Sequence, residues 1–249
     1  MFVSHVVIIP AFNEEKNIKQ VVERTKNLGY IPLVVDDYSS DRTNEIAKEA
    51  GAIVLRHKKN MGKGEGLKTA FLYIKNNLPT VKYIAILDAD LQYIPEDLPK
   101  IFKPLELDEA DYVTGYRNWK KDVPFRHRLG NFVWRNAFNI LFNVRVKDSN
   151  CGFIAMSREA MLKLIDATKG GYIIENMMMI KAMKEGLRIK QVPVKVYYYS
   201  VRDIPTGMRF VLGNFVYIIE EGLRYRYNID LKIYKALAKI KILFTKGTD

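Results

Sequence analysis

Tyr83-Ile84-Ala85-Ile86-Leu87-Asp88-Ala89-Asp90-Leu91-Gln92 passes from a short apolar run directly into two acids spaced one residue apart. A run this brief, bounded by polar residues, suits a buried strand. The same pattern recurs at Val6–Ile9, Leu33–Val35, Ala52–Leu55 and Tyr112–Thr114, with helix-period segments around 15–28, 42–50 and 64–76 between the first four. Strands alternating with helices predict right-handed β-α-β units and an α/β fold with a mostly parallel sheet.

In such sheets ligands bind beyond the carboxyl ends of the strands. The residues expected there are Pro10-Ala11-Phe12-Asn13-Glu14 after the first strand, Asp36-Asp37-Tyr38-Ser39 after the second, Arg56–Lys63 after the third and Asp88–Gln92 after the fourth. Four consecutive strands thus deliver acids, amides and basic groups to one edge. Beyond Arg117 the pattern predicts a basic helix at 126–142, a strand near 152–156, helices near 157–166 and 174–185, and a strand at 189–198. Two further helices are expected at 207–223 and 231–245. With no repeat or linker, residues 1–205 read as one catalytic domain and 206–249 as an amphipathic helical segment.

On an extended backbone residues two apart point the same way, so Asp88 and Asp90 can grip one divalent ion, with Gln92 as a further ligand on that face. A hard cation such as Mg²⁺ takes carboxylate oxygens and completes its shell with substrate phosphates. A solvated strand end is the competing reading. Asp37 can accept hydrogen bonds from a nucleobase or ribose, while Ser39, Ser40 or Asp41 can cap the next helix. Glu14 also suits the first turn of a helix. Asn60-Met61-Gly62-Lys63-Gly64-Glu65-Gly66 is a glycine-rich turn entering a helix; its amides and Lys63 can meet phosphate, or it can be a plain helix-start loop.

The 249 residues are 48% hydrophobic, enough for a substantial core. The single cysteine, Cys151, rules out an intramolecular disulfide framework and fits a reducing compartment. No signal peptide is read at the N-terminus. The longest apolar stretch, Phe210–Ile219, is interrupted by Gly213 and Asn214 and is about half the roughly twenty residues of a spanning helix. The net charge of +12 is unevenly placed: residues 117–147 carry eight Lys and Arg against Asp122 alone. That asymmetry favours a polyanionic partner, nucleic acid or an anionic membrane. In 231–245, Lys232, Lys235 and Lys239 share one face and Ile233, Tyr234, Leu237, Ile240 and Phe244 the other, as in a helix lying in a membrane interface or packed on its own domain.

Taken in order, Pro10-Ala11-Phe12-Asn13-Glu14, Asp36-Asp37-Tyr38-Ser39-Ser40-Asp41, Gly62-Lys63-Gly64, Asp88-Ala89-Asp90-Leu91-Gln92, Val113-Thr114-Gly115-Tyr116-Arg117 and Asp148-Ser149-Asn150-Cys151-Gly152-Phe153 resemble family 2 glycosyltransferases of the dolichyl-phosphate mannose and glucose synthase type. The resemblance spans about residues 5–210. It implies an A-type glycosyltransferase fold, inverting hexose transfer from GDP-mannose or UDP-glucose to dolichyl or polyprenyl phosphate, and Mg²⁺ or Mn²⁺ as cofactor. It further implies a nucleoside pocket of Pro10, Phe12, Glu14 and Asp37, a metal site of Asp88, Asp90 and Gln92, a phosphate-binding cluster of Arg117, Arg126 and Arg202, and Glu175 near the sugar. The expected setting is the cytoplasmic face of a membrane, with peripheral attachment.

The chain departs from that pattern at Phe12, where a tyrosine is usual, at Gly130, where a serine is frequent, and at Met208-Arg209, where a Ser-Lys pair is expected. Membrane-spanning C-terminal helices found in some relatives are missing. A phosphate acceptor is already ionised near neutral pH, so positioning and charge stabilisation suffice. A sugar-hydroxyl acceptor would instead need a base, with Glu175 or Asp148 as candidates. No Gln-x-x-Arg-Trp element marks a processive synthase, and no Thr-Arg-containing glycine loop marks a nucleotidyltransferase. A nucleic-acid module using the basic stretch with Trp119, Phe125 and Trp134 is opposed by the paired acids, which repel a phosphate backbone.

Overall fold

The structure, a computed structural model, describes residues 4–117, 125–168, 174–197 and 204–230; for 125–131 and 204–214 only the helical backbone is described. Seven strands form one sheet: β1 (His5–Ala11), β2 (Ile31–Asp36), β3 (Ile53–Arg56), β4 (Tyr83–Ile86), β5 (Tyr112–Arg117), β6 (Ile154–Ser157) and β7 (Ile189–Val194). Their order is β3-β2-β1-β4-β6-β5-β7. All neighbouring pairs are parallel except those made by β6, which runs antiparallel between β4 and β5.

The helices are α1 (Ile18–Asn27), α2 (Thr43–Glu49), α3 (Lys63–Asn77), α4 (Leu98–Glu106), α5 (Phe125–Phe142), α6 (Arg158–Leu164), α7 (Ile174–Lys184) and α8 (Ile204–Tyr227). The expected helix at 231–245 lies outside the described residues. α4 is absent from the sequence expectations. Leu98, Ile101, Phe102 and Leu105 give it a buried helical stripe, while Pro99 in its first turn and Pro104 near its end mask the pattern. Proline is tolerated in a first turn, where its missing N–H has no helical partner to lose.

The chain divides into two compact units. The first, residues 1–117 and 151–198, holds the sheet. Val6–Ile9, Leu33–Val35 and Ile84–Leu87 are buried, as strands covered on both faces require. β1 sends its connection towards β2 on one side, while β4 lies on the other. The loops after β1 and β4 therefore flank the point where strand order reverses, the usual ligand crevice of open α/β sheets.

The second unit, residues 118–150 and 199–249, contains α5 and α8. Trp134 meets Phe215 edge-on with ring centroids 5.3 Å apart, and Phe142 lies 5.5 Å from Tyr225. A Cβ at Gly222 would stand 2.5 Å from Leu141 Cβ, so the two helices cross with no room for one. Among the described residues, no helix is long and apolar enough to cross a membrane.

Candidate functional site

Three non-glycine residues with left-handed backbone sit just past parallel strands: Asn13 (φ 55°) after β1, Tyr38 (φ 68°) after β2 and Leu91 (φ 59°) after β4. Such conformations cost roughly 1–3 kcal/mol each and gather at ligand sites. Hydrogen bonds between the first two loops hold them in place. Asn13 N–H donates to Ser39 Oγ at 3.0 Å, Ser40 N–H to Asn13 Oδ1 at 2.9 Å, and Glu14 N–H to Thr43 Oγ1 at 2.8 Å. Asp41 takes the N–H of Thr43, first residue of α2, from one position before the N-cap, which is Arg42 and has no side-chain cap of its own.

The two adjacent acids of the second loop divide their work. Asp36 is fully buried: it accepts the N–H of Ser39 at 3.0 Å and faces Arg56 Nε at 3.2 Å. Asp37 accepts the N–H of Met61 at 2.8 Å on one oxygen and that of Gly62 at 2.7 Å on the other, and His57 Nδ1 lies 2.7 Å away. His57 Nε2 in turn lies 2.9 Å from Thr69 Oγ1 on α3. Gly62 has φ +87°, which glycine adopts without strain. Asp37 thus pins the glycine-rich turn, and sequence reasoning passed over its partner His57 and the Thr69 hydroxyl behind that ring.

Immediately after that turn Lys63 opens α3 and reaches across the sheet edge. Its Nζ is 2.6 Å from Asp88 Oδ1, beyond β4, and 2.8 Å from Glu175 Oε1, in the first turn of α7. Burial works against the charge of Lys63, but the Asp88 and Glu175 carboxylates outweigh it and hold its pKa above the ordinary lysine value. Gly152 lies beneath this cluster. A Cβ there would be 2.7 Å from Asp88 Oδ2, 3.4 Å from Lys63 Nζ and 3.6 Å from Glu175 Oε1. Gly152 belongs to the Asp148–Phe153 motif, and its steric contribution shows only in three dimensions.

The acid pair departs from the extended geometry expected of it. β4 ends at Ile86, and Ala89 and Asp90 lie in a turn. Gln92 N–H donates to Asp90 Oδ1 at 3.0 Å, and the Gln92 carbonyl accepts the N–H of Tyr197 at 2.9 Å, which ties this loop to the segment after β7. Among the described residues no group of three or more His, Cys, Asp or Glu forms a closed metal cage. Two carboxylates beside an open edge nonetheless fit a hard cation that fills its remaining positions with water and phosphate oxygens.

Of the other sequence candidates, Pro10 lies in β1 opposite Val35, and Phe12 is exposed in the following loop. Glu14 accepts from Asn17 Nδ2 at 3.1 Å, and Arg117 ends β5. The side chain of Arg126 and all of Arg202 lie outside the described residues. The structure therefore brings together Lys63, Asp88 and Glu175, with Asp37 behind them.

The chain resembles glucosyl-3-phosphoglycerate synthase from Mycobacterium tuberculosis in complex with UDP, with TM-score 0.72 and 22% identity over 88% of this chain and 80% of that one. The same enzyme with Mn²⁺, UDP and glucosyl-3-phosphoglycerate gives 0.67 at 22% identity over 87% and 80%. The fold is that of an A-type glycosyltransferase. Residues 6–168 match the glycosyl transferase family 2 domain. A protein of Methanocaldococcus jannaschii without assigned function is 39% identical over 220 residues, 82% of this chain and 88% of its own. The UDP-N-acetylglucosamine–dolichyl-phosphate N-acetylglucosaminyltransferase of Methanococcus voltae is 32% identical over 234 residues, 83% and 90% of the two chains. The chain belongs to glycosyltransferase family 2.

Proposed function

We propose that the chain transfers a hexose from a nucleotide-diphosphate sugar to a dolichyl or polyprenyl phosphate at a membrane surface. The observation that carries this reading is the meeting of Lys63, Asp88 and Glu175 at the carboxyl edge of the sheet, in a family 2 chain. A UDP-linked donor is favoured over a GDP-linked one, because the relative from Methanococcus voltae is named for UDP-N-acetylglucosamine and the mycobacterial synthase was crystallised with UDP.

Asp88 and Asp90, with Gln92 beside them, would hold Mg²⁺ or Mn²⁺. That cation supplies Lewis-acid neutralisation of the departing diphosphate. Exposed Phe12 offers the base a stacking face, and the remaining acceptor capacity of Asp37 faces base or ribose. Lys63 and Arg117 bind phosphate, arginine's planar fork matching two phosphate oxygens at once; for Arg126 and Arg202 a role towards donor or acceptor phosphate rests on the family resemblance. A lipid phosphate attacks the anomeric carbon from the face opposite the diphosphate, inverting the configuration.

Glu175 bears on the choice of acceptor. Its Oε1 is engaged by the Lys63 ammonium, which favours a charge-holding role near the sugar over proton abstraction from a hydroxyl. A phosphate acceptor needs no such base. A lipid-surface setting is supported by the second unit, where Phe132, Val133 and Ile140, near Arg135, and Tyr225, Tyr227 and Ile229, near Arg224 and Arg226, are exposed. Apolar side chains beside basic ones suit an anionic interface.

The experiment is a donor screen against a short polyprenyl phosphate in detergent, with and without Mg²⁺ or Mn²⁺. Metal-dependent formation of a hexosyl-phosphoryl lipid is expected. Transfer only to a glycan hydroxyl would establish the competing acceptor.

A further inference from the structure

The charge of Asp88 is answered from within the chain. Lys63 Nζ sits 2.6 Å from Asp88 Oδ1 and 2.8 Å from Glu175 Oε1. The ammonium is aimed there by its setting, since Asp37 fixes the N–H groups of Met61 and Gly62 directly before it. The bare backbone of Gly152 leaves space for all three charged groups to converge.

A second cation arriving at Asp88 must contend with that ammonium. Two positive charges about 4 Å apart repel by several kcal/mol at the effective dielectric of a protein surface, so each occupancy of Asp88 disfavours the other. Without Lys63, Asp88 and Glu175 would face each other with no cation between them, and the demand for one would rise. An incoming diphosphate changes the balance, because its oxygens give the ammonium another anion to meet.

We propose that Lys63 is a place-holder cation: it occupies Asp88 and Glu175 while the donor site is empty, keeps free divalent metal out, and yields Asp88 when a nucleoside diphosphate arrives. Metal and nucleotide are then taken up together rather than metal first. This rests on the assignment of the metal to Asp88 and Asp90, and extends it by giving Asp88 a cation from the chain itself.

The test is Mn²⁺ binding followed by the electron paramagnetic resonance of the free ion, on wild type, Lys63→Met and Lys63→Gln, each without nucleotide and with UDP. Circular dichroism melts confirm that the variants are folded. Without nucleotide, the neutral variants are expected to bind Mn²⁺ about five- to tenfold more tightly than wild type, at the low end of coupling between linked sites. The increase in Mn²⁺ affinity caused by UDP is expected to shrink in both. A folded neutral variant that binds Mn²⁺ no more tightly than a wild type that itself binds Mn²⁺ with UDP overturns the place-holder alone. A wild type that binds no Mn²⁺ even with UDP removes the metal assignment and the place-holder with it.

Discussion

The Asp37 carboxylate accepts the backbone N–H of Gly62 at 2.7 Å, across 25 residues of chain, and so fixes the start of α3 one residue before Lys63. Through this bond the loop after β2 sets the position of a lysine that meets acids from the loop after β4 and from α7. Asp37→Ala removes the acceptor for two amides and a partner of His57. Hydrogen bonds to a charged group contribute about 1.5–3 kcal/mol each, part of which water recovers in this half-buried turn. Urea unfolding is expected to show a loss of about 2 kcal/mol, with weaker UDP binding. Unchanged UDP affinity would show that the turn holds its shape without Asp37.

Gly152→Ala tests the convergence of charges. The added methyl would stand 2.7 Å from Asp88 Oδ2, so the carboxylate must move. Overpacking of this kind costs about 1–3 kcal/mol, which if felt at a reacting centre is about five- to 150-fold in rate. The expected outcome is a fall in kcat/KM of that size or more with a much smaller effect on the melting temperature. A variant of full activity would mean that the Asp88 position is immaterial.

Gly222→Ala tests the second unit separately. Alanine gains up to about 1 kcal/mol in helix propensity. The methyl, however, would meet Leu141 Cβ at 2.5 Å. Crowding is expected to win, and the melting temperature to fall; a rise would show that α5 and α8 do not cross this closely.

Acid stability follows from Asp111, whose carboxyl is held below the usual range chiefly by hydrogen bonds from Arg188, just before β7. A carboxyl whose folded pKa is depressed contributes its stability above its unfolded value, about 4, and loses it as pH falls through the folded value. Wild type should therefore lose stability below about pH 4. Asp111→Asn, weaker at neutral pH, should lose less over the same range. Parallel curves of melting temperature against pH for the two proteins would remove Asp111 from the account.

Much of this architecture was legible because local apolar runs encode the strands: Leu33–Val35 lies inside β2 and Tyr112–Thr114 inside β5. The edge carrying the site was also readable, since parallel order alone places Phe12, Asp37 and Asp88 on the same side. The antiparallel direction of β6 was not, because a four-residue apolar strand has no polarity that a periodicity reveals. Nor was the meeting of Lys63 with Glu175, 112 residues apart, which depends on how α3 and α7 approach β4. The extended reading of Asp88–Asp90 failed locally, as the chain turns with Leu91 in the left-handed region. The paired acids after β2 looked alike in sequence, and only burial separates Asp36, which braces Arg56, from Asp37, which anchors the turn.

Asp88 and Asp90 are proposed to support metal-assisted transfer to a lipid phosphate. The most direct measurement is the rate of hexosyl transfer from a UDP-sugar to polyprenyl phosphate by wild type and Asp90→Asn at equal Mn²⁺, with melting temperatures in parallel. Product from wild type is expected to vanish with chelator, and the variant to lose about a hundredfold or more, the scale of removing a charge-stabilising group, with its fold intact. Equal rates for the two proteins, or full wild-type activity after chelation, would contradict that role.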